Sequence, residues 1–559
     1  MSVDSAGNQG DADSGFTLFP PSVSADGRYV AFSSGATNLV PTDTNENFDV
    51  FVHDRETGST ERVSVDSAGT QANSYSINPS LSADGRYVAF DSVATNLVTE
   101  DDNGKSDVFV HDRQTGATQR VSVDVSGTQG DDGSFQPAIS ADGRYVAFGS
   151  SATNLVPSDT NVSNDVFIHD RQAGTTQRVS VDSAGNQGGD ASAVPAISAD
   201  GRFVVFHSFA SNLVPDDDIL VDVFIHDTQT GSTDLVSAAS PNNQGNGGVS
   251  ANPAVSGDGR FVAFDADAAD LVPEDTNGKS DVFVRDLQAG TTERVSVDSS
   301  GNQANGVSIN ATISADGRYV AFQSFADNFV PGDTTLLDVF VHDRQTGVTE
   351  LVSVGIADTQ ADGASDNASI SGDGRYVAFQ SGATNLVAED TNGALDVFVR
   401  DRDATATTPT PTPPPLETTL SGSTAVGATT LQLTDVAGFA ARDLIVINPG
   451  GASEEYSVVS SLGSLDLQAP LQFAHISGEA INRVASGIPP GDANCSRTVD
   501  ILDVLSILKR TGAIGLADHC VAAGNIECQS PIDARDALAV LLYLAGTPLN
   551  IPDCPQVQP

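Results

Sequence analysis

The chain has 559 residues, with 74 Asp+Glu against 26 Lys+Arg and a formal net charge of -48. That balance lacks the basic face that nucleic acid or an anionic membrane surface requires, and no apolar run reaches the roughly 18 residues of a membrane span. Hydrophobic residues at 39%, with 25 Phe, exclude a disordered acidic chain, and the absence of Trp excludes a sugar platform built on it.

The 52 Gly and 26 Pro point to many turns and to a mostly β body. Its first element is an internal repeat. The string SADGRYVAF stands at 24–32, 82–90, 140–148 and 314–322, with close variants at 198–206, 256–264 and 371–379. Each of the seven units reads as four short strands. In the second, strand A is predicted at 78–82, and the Asp84–Gly85 pair is a hairpin signal. Strand B follows at 86–90, then a long loop, strand C at Asp107–Asp112, a Thr115–Gly116 turn and strand D at 120–124. Radial repetition of four-stranded units is a β-propeller's answer to open sheet edges. The seventh unit lacks strand D, and residues 2–9 repeat 180–187, which belong to strand D and its loop. The N-terminus is therefore expected to pair with strand C of blade seven and close the ring. The chain opens inside a repeat, so a missing leader segment carries no information.

SADGRYVAF together with DVFVHD resembles the TolB-like (WD40-like) propeller repeat, over residues 1 to about 402. The resemblance implies the fold. It does not imply an activity, since such propellers serve as platforms, scaffolds and accessory domains.

In an up-and-down blade the A–B and C–D turns share one face, and the longer B–C and D–A loops share the other, where function is expected. The B–C loops carry Asp43/Asn45/Asp49, Asp101/Asn103/Asp107, Asp159/Asn161/Asp165, Asp216/Asp218/Asp222, Asp275/Asn277/Asp281 and Asp390/Asn392/Asp396. Blade six departs, with Asp333, Thr335 and Asp338. Alternating Asp/Asn oxygens suit a hard cation such as Ca²⁺, yet only two carboxylates recur per loop and Ca²⁺ takes about 6–8 oxygens. The competing reading, which we prefer, is a set of Asx turns that fold each loop back into strand C.

Strand C also places His53, His111, His169, His226 and His342 one per blade, with Arg285 and Arg400 in blades five and seven. Metal ligands must converge, so a packed, hydrogen-bonded role is expected for these. The repeated Arg of SADGR (Arg28, Arg86 and equivalents) reads as structural. No nucleophile elbow, zinc-protease motif or P-loop is present, and the candidate polar residues recur from blade to blade. No catalytic or cofactor-binding residue is assigned.

Residues 404–415 (ATATTPTPTPPP) read as an extended Thr/Pro linker. Residues 416–487 read as a small β-sandwich or barrel, with strands near 429–435, 443–448, 454–460 and 465–475. The last segment, 488–559, carries the most specific motif. Asp492, Asn494, Ser496, Thr498, Asp500 and Asp503 fall at positions 1, 3, 5, 7, 9 and 12 of an EF-hand-like loop, followed by a short apolar helix. Asp503 at the closing position and Arg497 in place of Gly depart from the full pattern. A degenerate copy runs through Asn525, Glu527, Gln529, Pro531, Asp533 and Asp536. Two such loop–helix units resemble a dockerin. That resemblance implies Ca²⁺-dependent folding and docking onto a cohesin-type receptor; a Ca²⁺-stabilised cap without a partner is the alternative.

Cys495, Cys520, Cys528 and Cys554 all lie here, and the duplication implies two disulfides with the connectivity open. Disulfides need an oxidising compartment, so an extracellular or cell-surface location is expected. The sequence thus reads as a bacterial, secreted, non-catalytic modular protein: a seven-bladed propeller as interaction platform for an unknown ligand, a β spacer and an α-helical Ca²⁺ module for protein–protein docking. An extracellular hydrolase using the loop face or axial channel, or a purely structural or adhesive surface protein, are the alternatives.

Overall fold

The computed structural model describes residues 1–15, 20–215, 220–240, 243–244, 248–388 and 390–403. Beyond these it describes the strands Glu417–Thr419, Leu444–Ile447, Glu455–Ser461, Asp466–Leu467 and Ala480–Ala485. Two compact units divide the chain, Met1–Ala406 and Thr407–Pro559.

The first unit is a seven-bladed propeller. Blade two shows the pattern: strand A is Ser76–Leu81, B is Tyr87–Ser92, C is Asp107–Asp112 and D is Ala117–Arg120, paired antiparallel in that order. Strand C lies where the sequence places it. Strand D comes earlier than the expected 120–124. After the tight turn at Asp112–Gly116 the chain pairs at once, Asp112 with Ala117 through Phe109 with Arg120. By Ser122 it has left the ladder, and that hydroxyl instead accepts Val108 N–H at 3.1 Å. Strand A begins two residues early because it contains a bulge between Ile77 and Ser80, with Asn78 at φ +56.

Alternation decides what is buried. Phe90 of strand B and Phe109 of strand C are fully buried and stack at 5.9 Å. Their counterparts pair in the same way in every blade, as Phe32 with Phe51 and Phe379 with Phe398. The apolar clusters form between blades: Ala31, Val50 and Val52 of blade one pack with Val88, Phe90, Leu97 and Phe109 of blade two.

The ring is closed. Backbone N–H groups on the turn face run Ala25 to Ala83 O, Ala83 to Ala141 O, Ala141 to Ala199 O, Ala199 to Gly257 O, Gly257 to Ala315 O and Ala315 to Gly372 O. Gly372 N–H completes the circuit on Ala25 O at 3.1 Å. Val30, Phe32 and Phe51 of blade one likewise share a core with Ala378 and Val397 of blade seven. The N-terminal residues do seal blade seven, but without a fourth strand. Ser2 Oγ donates to Asp396 Oδ1 at 2.5 Å and accepts Val397 N–H at 3.1 Å, while the Met1 amine donates to Val397 O at 2.6 Å. Blade seven is a three-stranded sheet, Ser365–Ile370, Tyr376–Ser381 and Asp396–Asp401. By repeat alignment Met1 matches Val63, one residue past the outer strand Ser59–Arg62 of blade one.

In the second unit the described strands form one antiparallel sheet in the order Glu417–Thr419, Ala480–Ala485, Leu444–Ile447, Glu455–Ser461, Asp466–Leu467. The expected strand at 429–435, the linker 404–415 and the whole of 488–559 lie outside the described residues.

Candidate functional site

On the long-loop face the B–C loops of blades one, two, three and five deliver two carboxylates each to one place. Asp49 opens strand C and is fully buried; its Oδ1 accepts the Ser64 hydroxyl at 2.6 Å. Gln71, from the D–A loop, donates its amide to Asp43 at 2.6 Å and to Asp49 at 2.8 Å. Arg62, the last residue of strand D, lies 3.5 Å from Asp43 and 3.7 Å from Asp49, with its side chain only 8% exposed. Asn45 donates to Asp49 at 3.1 Å and to Ala72 O, while its own oxygen accepts Asn47 N–H. The positive group facing these carboxylates is therefore a guanidinium, and Asn45 acts as an Asx turn. Burial raises Asp49, and the Ser64 and Gln71 hydrogen bonds oppose that rise.

The same node recurs. Arg120 pairs with Asp101 and Asp107 at 3.5 and 3.4 Å, with Asn103 donating to Asp107. Arg178 pairs with Asp159 and Asp165, both at 3.3 Å. Arg294 pairs with Asp275 and Asp281 at 3.5 and 3.8 Å, with Asn277 donating to Asp281. Blade six breaks it. Leu351 stands at the arginine position, and Asp333 and Asp338 share only the Gln360 amide, at 3.2 and 2.8 Å. Burial pushes Asp338 to about 7; the Ser353 hydrogen bond opposes this and the Asp333 charge adds to it. In blade four Asp216 and Asp218 lie outside the described residues. Among the described residues no group of three or more His, Cys, Asp or Glu converges as a metal cage. Sequence reading passed over Arg62 and Gln71, although both recur at fixed offsets from strand C.

The strand C histidines are interblade latches. His53 Nδ1 lies 2.9 Å from Thr60 Oγ1, whose hydroxyl donates to Val3 O at 2.5 Å. The threonine proton is thus used, so Nδ1 carries the imidazole hydrogen. Burial lowers His53 to about 4, which keeps the ring neutral. His111, His169, His226 and His342 make the same contact, and in blade five Arg285 replaces it, donating to Thr292 Oγ1 and Ala238 O.

The turn face holds the SADGR arginines. Arg28 grips Asp54 with two hydrogen bonds, at 2.9 and 2.8 Å. Tyr29 lies between the guanidinium groups of Arg28 and, from blade two, Arg113, at 4.9 and 4.3 Å. Arg86/Asp112, Arg144/Asp170, Arg202/Asp227, Arg260/Asp286, Arg318/Asp343 and Arg375/Asp401 repeat the pair.

One layer breaks the repeat. The residue after the strand B phenylalanine is Ser33, Asp91, Gly149, His207, Asp265, Gln323 and Gln380 in successive blades. Asp91 accepts the Asn78 amide at 2.7 Å and, across the blade boundary, Gln136 N–H at 3.1 Å. Asp265 does the same with Asn252 and Asn310 N–H, at 3.2 and 3.0 Å. Gln323 accepts Asn367 N–H at 2.7 Å. These side chains satisfy the bulge of the next blade's strand A. Burial raises Asp91 and Asp265 to about 7, against the hydrogen bonds each accepts.

The other departure is at the inner rim of the loop face. The residue following the last residue of strand B is Gly35, Val93, Ser151, Phe209, Asp267, Phe325 and Gly382. It meets the residue that leads into strand A: Val93 N–H donates to Tyr75 O, Asp267 N–H to Val249 O and Phe325 N–H to Val307 O. Tyr75, Phe209, Val249 and Phe325 are each exposed by 40% or more.

The C-terminal residues Asp492, Asn494, Ser496, Thr498, Asp500, Asp503, Asn525, Glu527, Gln529, Pro531, Asp533 and Asp536, and the four cysteines, lie outside the described residues. Among the described residues no helix is long and apolar enough to cross a membrane.

No family model and no curated protein matches the chain. Among solved structures it is similar to TolB from Acinetobacter baumannii, at 14% identity over 60% of this chain and 64% of that one, TM-score 0.34. It is similar to an oligogalacturonate lyase from Vibrio parahaemolyticus, at 13% identity over 70% and 90%, TM-score 0.44. It is also similar to the β-propeller domain of the Trilobed protease from Pyrococcus furiosus, at 12% identity over 71% and 99%, TM-score 0.43. The chain spans less than two thirds of that TolB chain's length, and likeness at this level carries no argument about activity.

Proposed function

We propose that the chain is an exported, non-catalytic modular protein whose propeller is an interaction platform and whose 488–559 segment docks a protein partner through Ca²⁺. One observation carries the platform reading. The polar groups that recur are committed to contacts within and between blades, whereas the inner rim varies and leaves apolar side chains exposed. The docking half rests on the EF-hand-like spacing of Asp492, Asn494, Ser496, Thr498, Asp500 and Asp503, with the weaker copy from Asn525 to Asp536. Export rests on the four cysteines of that segment and the Thr/Pro linker before it. A cohesin-type receptor is the class of partner this reading names.

The test is Ca²⁺ calorimetry on the whole chain and on Asp492→Ala/Asp503→Ala, with melts in chelator. One or two sites lost in the variant support the docking module. Sites retained in full by the variant shift Ca²⁺ to the propeller loops, and no uptake by the parent chain removes the docking reading.

The second reading is a hydrolase that works at the axis. Asp91 and Asp265 favour it, since each breaks the repeat and holds a proton near neutrality. Against it, each carboxyl is already bound to its own blade and its neighbour. Turnover of a polysaccharide or peptide panel that is lost in Asp91→Asn would establish it.

A further inference from the structure

We propose that the inner rim of the loop face, centred on blades four to six, docks a cationic, amphipathic segment of a partner protein; this deepens the platform reading and rests on it. Phe209 of blade four, Val249 leading into blade five and Phe325 of blade six are 49%, 46% and 48% exposed. Phe209 and Phe325 follow strand B in blades four and six, and Val249 leads into strand A of the blade between them, so the three stand on adjacent blades at the rim. Blades seven and one carry Gly382 and Gly35 there, so the rim is lowered beside the arc. Exposed phenylalanines at a position that varies, in contrast to the buried varying layer that is committed to the neighbouring blade's backbone, mark an interaction surface.

Charge names the partner. The ring's cations are sorted by face. Arg28, Arg55 and their equivalents stand at the tight turns, on the opposite side. Arg62, Arg120, Arg178 and Arg294 are buried against the loop carboxylates. Arg285 is buried in strand C of blade five and Arg400 pairs with Asp358, which leaves Lys105 and Lys279 exposed on the loops, and Lys105 already pairs with Asp132 at 2.9 Å. Asp131, Asp190, Asp267, Asp327 and Asp362 are exposed on the same face. An apolar arc in an acidic field suits a segment with apolar anchors flanked by Lys or Arg, and it repels nucleic acid and anionic lipid.

The probe is a fluorescent amphipathic peptide of Leu and Lys, with a Leu/Glu peptide of the same pattern as control, titrated by anisotropy. Expected is binding of the Leu/Lys peptide alone, weakened by salt. Phe209→Ser/Phe325→Ser should weaken it about tenfold or more, as central aromatic anchors do. Val348→Ser, which removes an equally exposed apolar side chain on the outer strand of blade six, should leave it unchanged. Unaltered melts confirm that the rim variant is folded. Equal binding by the rim variant and the parent chain overturns the inference while leaving an acidic platform in place. Binding of neither peptide, or of both alike, also overturns it, and the Ca²⁺ titration tests the modular reading independently.

Discussion

Asp91 of blade two accepts the Gln136 N–H of blade three, so one buried carboxyl completes its neighbour's backbone. Asp265 does this for Asn310 on the other side of the ring. An unfolded Asp titrates at about 4, whereas burial raises both of these to about 7. The folded chain thus binds the proton more tightly. The associated stability is complete below about pH 4 and lost as pH rises through about 7. The parent chain should melt lower at pH 8 than at pH 5, and Asp91→Asn/Asp265→Asn should flatten that difference. A shift of one pKa unit is worth about 1.4 kcal/mol, so the pair should account for a few kcal/mol. Parallel pH profiles would refute the assignment.

The loop nodes predict opposite outcomes for opposite substitutions. Arg62→Leu leaves Asp43 and Asp49 without their cation and should cost about 3 kcal/mol at neutral pH, less in acid. Leu351→Arg supplies blade six with the cation it lacks. Since Asp338 is raised to about 7, the parent loses stability there as pH rises, and the variant should gain most above that value. Denaturant melts at pH 5 and pH 8 measure both. A destabilised Leu351→Arg at pH 8 would show that the node's cation is dispensable.

Gly85 of the blade-two turn sits against blade one. Its φ is +69, and a Cβ there would lie 2.2 Å from the Tyr29 ring. Gly85→Ala should therefore cost well over the roughly 1 kcal/mol of a strained turn glycine. The adjacent Gly116, also at positive φ but with open space around its Cβ position, should show only the conformational cost. Comparable melting points for the two variants would deny the interblade contact.

Thr118→Val tests the latch. It removes the acceptor for His111 Nδ1–H and the donor to Val65 O, at 2.9 and 2.5 Å. A loss of about 1–3 kcal/mol is expected for buried groups left unpaired. An unchanged melt would mean that water replaces the hydroxyl at that junction.

Much of the ring was legible because its repeat spells out one strand exchange seven times. The Asp84–Gly85 turn and the Asp107–Asp112 strand sit where local patterning puts them. Strand D does not. Its apolar residues Val121 and Val123 are buried after the ladder ends, so alternation alone placed the strand too late. The role of Arg62 and Gln71 was hidden for a different reason. They meet Asp43 and Asp49 from 13 to 28 positions away, and spacing within one loop holds no trace of that. The inner rim is not legible from the repeat, because Phe209 and Phe325 carry their information as exceptions to it.

The seven turn-face hydrogen bonds, from Ala25 N–H through to the return at Ala25 O, all point the same way around the axis. Such a circuit has a sense of rotation but no starting point. Each blade is donor to one neighbour and acceptor to the other, so no member is a cap, and the loop can be cut between any two without creating a new kind of end. A gene for residues 1–403 rearranged to begin at another blade, with Met1 and Asp403 joined by a short bridge, should specify the same wheel.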